Sequence, residues 1–425
     1  MLKKCPLFSK AECDRSLLLL SLLALFGSIV TIVWLGVLYY QDSMSYVEAW
    51  DNSLAFGRLD ACRTAAYPLL LGVLKWVFGV HFDWATICIQ HIVFLFSIRY
   101  FYRLASMVVV SRKWVFGLTL LYIISFIRWH SVIQTESLSC SGMVFLLYVV
   151  YKLNTDFSAG KAVLSLLLLV WLLLLRPASI YLLPVLFVWW LVAAFKGKAH
   201  KPALYGIGVV AIASLCMLGY MRAFEKEYGR FTTSNIGLYN QLYIAFDRKL
   251  IQLDVIGTDS IRNDVAACIE RFDVPYGSYA TVDYLLEKYD PQLLWKMVKD
   301  SYKSQPLNYT MRTLEQMRLA KSNGLFIAAH PNLAAMLDLL GVNVGSFYLF
   351  LVFYTVLLLI WVFKNKTVPL HTSLLYMLGI SHFVVVVLGA QNDWKRLLMA
   401  SFPVYLLMFG QLCAMLRFVS PTRLD

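Results

Sequence analysis

Residues 16–46 read SLLLLSLLALFGSIVTIVWLGVLYYQDSMSY, an apolar run that closes on Tyr39-Tyr40 and gives way at once to Asp42-Ser43-Met44-Ser45-Tyr46. A helix needs about 20 apolar residues to cross the hydrocarbon core of a bilayer, and tyrosines favour the interface where such a helix ends. Lys3, Lys4, Lys10 and Arg15 precede the run. It is too long for the apolar core of a cleaved signal peptide and has no clean small-residue cleavage site, so a retained first span is expected.

The rest of the chain repeats that pattern. Sixty per cent of the 425 residues are hydrophobic, 15% are charged, and the mean hydropathy is +0.66. Soluble domains are about 45–50% apolar and about 25% charged, so an all-α polytopic membrane protein is expected. Spans are predicted near 16–40, 84–102, 109–127, 136–153, 161–175, 178–195, 203–220, 344–363, 370–389 and 397–416, ten in all, with both termini cytoplasmic. Residues 161–195 are divided because Arg176-Pro177 breaks the apolar run, and proline stops a helix at its predecessor. Residues 64–80 are apolar enough to cross, but a crossing there would place Arg99, Arg103, Arg112 and Lys113 outside. The bias of Lys and Arg toward cytoplasmic loops favours an interfacial or re-entrant helix instead.

With that topology 17 basic and 4 acidic residues lie on the cytoplasmic side, whereas residues 221–342 carry 14 of each. The net charge of +13 therefore reports orientation and contact with anionic membrane lipids, and a nucleic-acid partner loses its main support. The predicted organisation is a core over 1–220 with a first outer loop at 41–83, an external helical cap at 221–342, and C-terminal spans at 343–425. Within the cap, Asp259–Phe272, Pro291–Lys303 and Leu307–Lys321 show apolar residues at helical spacing, and Pro331 can open a further helix. Of the eight cysteines, only Cys62 and Cys268 look external, and a disulfide between them is one open possibility.

The first outer loop concentrates charge: Asp42, Glu48, Asp51, Arg58, Asp60 and Arg63, followed by Tyr67-Pro68. Asp42, at the end of a span, is placed either as a base at the membrane boundary or as the N-cap of the next helix. Met44, Val47, Trp50 and Leu54 recur at helical spacing, which would lay a short helix on the bilayer with Glu48 and Asp51 toward water. Asp60 and Arg63, three apart, could pair with each other. Other outer loops hold Arg128, His130 and Glu136, then Arg176, then Asp393, Lys395 and Arg396. Outward basic residues run against the general bias; holding a lipid phosphate is one use for them, and snorkelling or a local ion pair is another. No zinc-binding spacing, Walker A sequence or dinucleotide fingerprint is present. No cofactor is firmly predicted; a divalent metal stays open, with no residue pattern in its favour.

Asp42-Ser-Met-Ser-Tyr46 after the first span, Gly57-Arg58, Arg63-Thr-Ala-Ala-Tyr67-Pro68, Thr135-Glu136-Ser-Leu138 and Arg176-Pro177 together resemble the GT-C class of polytopic glycosyltransferases. That class includes the dolichyl-phosphate-mannose protein mannosyltransferases, the aminoarabinose transferases of lipid A and bacterial family-39 enzymes. The resemblance covers the first 200 residues or so; beyond them only the helical insert and Trp394-Lys395-Arg396 before Pro403 are reminiscent. Gln41 stands where many members carry a second acid, and Glu136 where many carry Asp.

The resemblance implies a polyprenyl-phosphate-linked sugar as donor and a glycan, lipid or protein acceptor, with the site on the periplasmic or luminal face. Asp42 would be the base and Glu136 a second catalytic carboxylate. Arg63, Arg176, Lys395 and Arg396 would hold the donor phosphate, with Tyr46, Glu48, Asp51, Arg58, Tyr67 and His130 supporting the site or the acceptor. An O-antigen polymerase or ligase, using a diphosphate-linked oligosaccharide, and a lipid or glycan transporter are the alternatives. The transporter reading would favour charged residues inside the spans, and here they sit almost entirely in loops.

Overall fold

The computed structural model describes residues 10–40, 42–109, 111–196, 200–256, 259–272, 277–319, 344–366, 368–389 and 394–419. Its helices are α1 (Lys10–Leu35), α2 (Ser43–Asn52), α3 (Ala66–Phe78), α4 (Phe82–Val108), α5 (Arg112–Phe126), α6 (Thr135–Thr155), α7 (Ala159–Leu175), α8 (Leu182–Lys196) and α9 (His200–Tyr228). They continue as α10 (Ile236–Asp247), α11 (Asp259–Phe272), α12 (Gly277–Lys288), α13 (Pro291–Ser304), α14 (Pro306–Leu319), α15 (Val344–Asn365), α16 (Leu370–Gly389), α17 (Trp394–Met399) and α18 (Phe402–Val419). No strand occurs among the described residues, and the chain is an all-α polytopic membrane protein. Among the described residues, seven apolar stretches are long enough to cross a membrane, and α7 and α18 are apolar but shorter.

Each of the ten expected spans has a helix, with two differences that have local causes. The first span ends at Leu35 rather than near residue 40, because Gly36 takes a left-handed φ of +61°, the conformation in which glycine ends helices. Residues 37–40 then run on without helix. The last span is broken into α17 and α18 around Ala400-Ser401; Pro403 lies in the first turn of α18, where its missing N–H costs nothing. Arg176 is extended (φ −145°, ψ 127°) ahead of Pro177, as the residue before a proline must be, and separates α7 from α8 as the sequence predicts.

Residues 66–78 form α3, whose 13 residues span about 20 Å at 1.5 Å each, short of the roughly 30 Å of hydrocarbon. Gly79, with φ +57°, turns the chain into α4. Trp76, Val77 and Val80 are exposed at this tip. Gly72 allows the close seating of α2 on α3: a Cβ there would lie 2.0 Å from the Trp50 ring. Val47 and Ala49 are buried, so the apolar side of α2 is spent on α3 rather than on lipid.

The main core runs from α1 to α9 and on through α15–α18, with α6 buried along most of its length. A second, separate core gathers Leu238, Leu242, Phe246, Val265, Leu285, Leu294 and Val298 from α10–α13. Helices α11 and α13 lie where the sequence predicts them, and α14 runs Pro306–Leu319 against the expected Leu307–Lys321. The helix expected from Pro331 lies outside the described residues. Cys62 and Cys268 are both free, and Cys268 sits inside the second core.

Candidate active site

The end of the first span is fixed by backbone hydrogen bonds, not by helix. The Leu38 N–H donates to Ser131 O at 2.8 Å, and the Ile133 N–H donates to Leu38 O at 3.0 Å. This bridge between Leu38 and Val132 is parallel, so the chains toward Asp42 and toward Glu136 leave it in the same direction. Gly27 brings α1 close to the 127–131 turn, where a Cβ would meet Ile127 at 2.5 Å. From α4, Gln90 ties the arrangement together: its Nε2 donates to the carbonyls of His130 and Val132, both at 2.9 Å, and its Oε1 accepts from the Tyr67 hydroxyl at 3.0 Å.

Asp42 occupies the N-cap position of α2 but makes no side-chain capping bond. Its Oδ1 instead lies 3.2 Å from Arg63 Nη2. Arg63 is held on several sides: its Nε donates to Ser45 Oγ at 2.8 Å, its Nη1 to the Tyr46 hydroxyl at 3.4 Å, and its Cζ lies 4.4 Å from the centre of the Tyr46 ring. Burial works against the Arg63 charge, but Tyr46 and Asp42 outweigh it and push the guanidinium above its ordinary value. Tyr46 in turn meets Tyr67 edge-on at 5.2 Å.

Asp60 does not pair with the Arg63 side chain. Its Oδ1 accepts from the backbone N–H groups of Cys62 (2.9 Å) and Arg63 (2.6 Å). Residues 58–65 are not helical, so the three-residue spacing does not bring the two side chains together. The loop is also docked on the end of α9, where Leu59 N–H donates to Glu227 Oε2 at 2.9 Å, and on the start of α10, where Asn235 N–H donates to Ala61 O at 2.7 Å.

Glu136, in the first turn of α6, is 2% exposed. Its Oε1 lies 3.2 Å from Arg176 Nη1, and Thr135 Oγ1 donates to its Oε2 at 3.4 Å. The carboxylate is close enough to the Tyr67 hydroxyl to act on it electrostatically, as Arg176 is to Tyr181 and His382. Two carboxylate–arginine pairs are thereby linked through Tyr46 and Tyr67.

The remaining predicted residues divide. Glu48 and Arg58 are exposed. Asp51 pairs with Lys75 of α3, with both carboxylate oxygens at 2.7 Å; it braces α2 on α3 and is not a water-facing group of a free helix. His130 is fully buried, with Nδ1 2.5 Å from Ser137 Oγ and its ring stacked on Phe94 at 4.1 Å, so it is packed into the support of the loop. Burial, with His91 adding to it, holds its imidazole well below the ordinary value. Lys395 and Arg396 lie in the helical backbone of α17, and their side chains, like Gln41, fall outside the described residues.

Sequence reading missed Ser45, the backbone role of Asp60, and Gln90. Only Gln90 carried a signal, as a polar residue inside an apolar span. As to metals, Asp42 and Glu136 each face an arginine, and no three His, Cys, Asp or Glu side chains converge among the described residues. Paired in this way, the described residues do not make up a metal site.

No family model and no curated protein matches the sequence. The structure is similar to that of the oligosaccharyltransferase of Archaeoglobus fulgidus, solved in complex with zinc and sulfate, with a TM-score of 0.50 and 14% identity. The match covers 94% of this chain and 51% of that one, so the chain spans about half the length of that protein. At this identity the likeness concerns the fold alone.

Proposed function

We propose that the chain is a membrane glycosyltransferase that moves a sugar from a polyprenyl-phosphate donor to an acceptor hydroxyl, with inversion. The observation that carries this reading is the pairing of Asp42 with Arg63 beside the buried Glu136–Arg176 pair, on a fold shared with an oligosaccharyltransferase. Asp42 takes the proton of the acceptor hydroxyl as its oxygen attacks the anomeric carbon. The bond from that carbon to the phosphate oxygen breaks, and polyprenyl phosphate leaves with one more negative charge. Stabilising that anion needs preorganised positive charge rather than a proton; Arg63, Arg176, Lys395 and Arg396 supply it. Glu136 orients Arg176. The work is done in cell-envelope glycan or glycolipid assembly at the bacterial inner membrane, with both termini cytoplasmic and the site facing the periplasm. Residues 221–342 form a cap over it.

The test is transfer by purified Asp42→Asn protein in proteoliposomes supplied with polyprenyl-phosphate sugars. Loss of transfer with normal insertion is expected; full activity would remove Asp42 as the base. A second reading, transfer of an oligosaccharide from a diphosphate carrier as in an O-antigen polymerase or ligase, draws on the likeness to an oligosaccharyltransferase. Parallel assays with monophosphate and diphosphate donors separate the two.

A further inference from the structure

Gln134 is the residue just before α6, between the bridged Ile133 and the pair-forming Glu136. Its backbone is extended (φ −155°, ψ 164°) and its N–H donates to Val132 O at 2.9 Å. The side chain is 1% exposed, yet neither Oε1 nor Nε2 has a hydrogen-bond partner among the described residues. On the same loop, the Nε2 of the fully buried His130 is likewise without one. A buried carboxamide can accept two hydrogen bonds and donate two, and leaving it unmet costs free energy that proteins avoid almost everywhere. Single buried atoms of His91, Ser139 and Ser141 also lack partners among the described residues, but in Gln134 the whole carboxamide is unmet, whereas that of Gln90, equally buried, is bonded at both ends. An apolar residue of the same shape would serve the fold at that position better.

From this we infer that Gln134 is a sugar-recognition residue: its carboxamide binds hydroxyl groups of the transferred sugar, donating to one and accepting from another. The inference rests on the donor reading given above. A neutral amide that is both donor and acceptor suits neutral hydroxyls, whereas the arginines nearby suit the phosphate. A site built to hydrogen-bond a hydroxyl also rejects the analogue that lacks it, because its own polar groups are then left bare. Gln134 would therefore set which sugar is accepted, while Arg63 and Arg176 bind what all such donors share.

The experiment compares wild type with Gln134→Met and Gln134→Glu in detergent, reading the melting temperature against concentration of polyprenyl phosphates of glucose, galactose and mannose. Wild type should be stabilised by one of these donors at the lowest concentration. Gln134→Met should melt at the same temperature or higher without donor, need about ten-fold more of the preferred donor for half the shift, and lose its preference among the three. Gln134→Glu, which keeps the acceptor and loses the donor, should also weaken the preferred donor. An unchanged half-saturation and preference in Gln134→Met would overturn the assignment and leave the amide to a bound water. A lowered melting temperature with unchanged donor response would make Gln134 structural, which also overturns it. If none of the three donors stabilises wild type, the donor reading itself fails.

Discussion

Two ion pairs of the same chemistry, linked through Tyr46 and Tyr67, are built differently in this molecule. The side chains of Asp42 and Arg63 are 31% and 14% exposed, against 3% and 10% for Glu136 and Arg176. The first pair sits on a loop, with its arginine shared among Asp42, Ser45 and Tyr46. The second joins the first turn of a buried helix to the break between α7 and α8. Partly solvated pairs are worth little to stability and can open at small cost, whereas a buried pair becomes a liability once either partner is lost. The contrast separates a partly solvated pair that can exchange partners from one that is fixed in position by burial.

The largest effect should come from Asp42→Asn, which is expected to lower transfer by about 10²–10⁴-fold, the usual contribution of a positioned base. Its stability should stay within about 1 kcal/mol of wild type, since the pair is partly exposed. Glu136→Gln breaks the other pair and should do the reverse: a loss of about 3–5 kcal/mol in denaturation, because Arg176 is left buried without its counter-charge. Equal stability losses in the two variants would erase the contrast. Gly72→Ala tests the seating of α2, which carries Asp42; a Cβ 2.0 Å from the Trp50 ring should cost about 1–3 kcal/mol by overpacking and reduce transfer with it.

Acid should weaken the support under Glu136 through His130. Its imidazole is held well below the ordinary value in the folded protein, so the unfolded chain binds a proton below about pH 6.5 that the folded chain refuses. Stability from this source is present above that pH and is lost as the pH falls below it; His130→Gln should flatten the acid limb of a melting-temperature profile. The smallest effect belongs to Lys75→Ala, which breaks a third pair with both partners 40% exposed and should cost no more than about 1 kcal/mol.

Much of the frame was legible because hydrophobic length and proline placement are local properties: the spans, the break at Arg176-Pro177, and helices α11 and α13. Helices α10 and α12 were not, since Gly, Asn and scattered polar residues blur their period and only their contacts in the second core decide the matter. Asp42, Arg63, Glu136 and Arg176 were each visible as polar residues at span ends. Their pairing was not, because it depends on a bridge between residues 38 and 132 and on a loop in which Asp60 caps the backbone instead of meeting Arg63. A buried Gln134 without partners leaves no trace in sequence at all.

The bridge at Leu38 has a consequence for the lipid around the protein. Helix α1 opens on Lys10, Glu12, Asp14 and Arg15, and its membrane-crossing part, Arg15–Leu35, has 21 residues, about 31 Å at 1.5 Å each, close to a hydrocarbon core of about 30 Å. Much of its flank is exposed, including Leu18, Leu22, Phe26, Val33 and Trp34. A helix of this kind answers changes in bilayer thickness by tilting. Its far end is stitched to the strand of chain that leads into Glu136, so a tilt is handed on to the spacing of the two carboxylates. A thinner membrane would in this way be expected to alter the geometry of the candidate site.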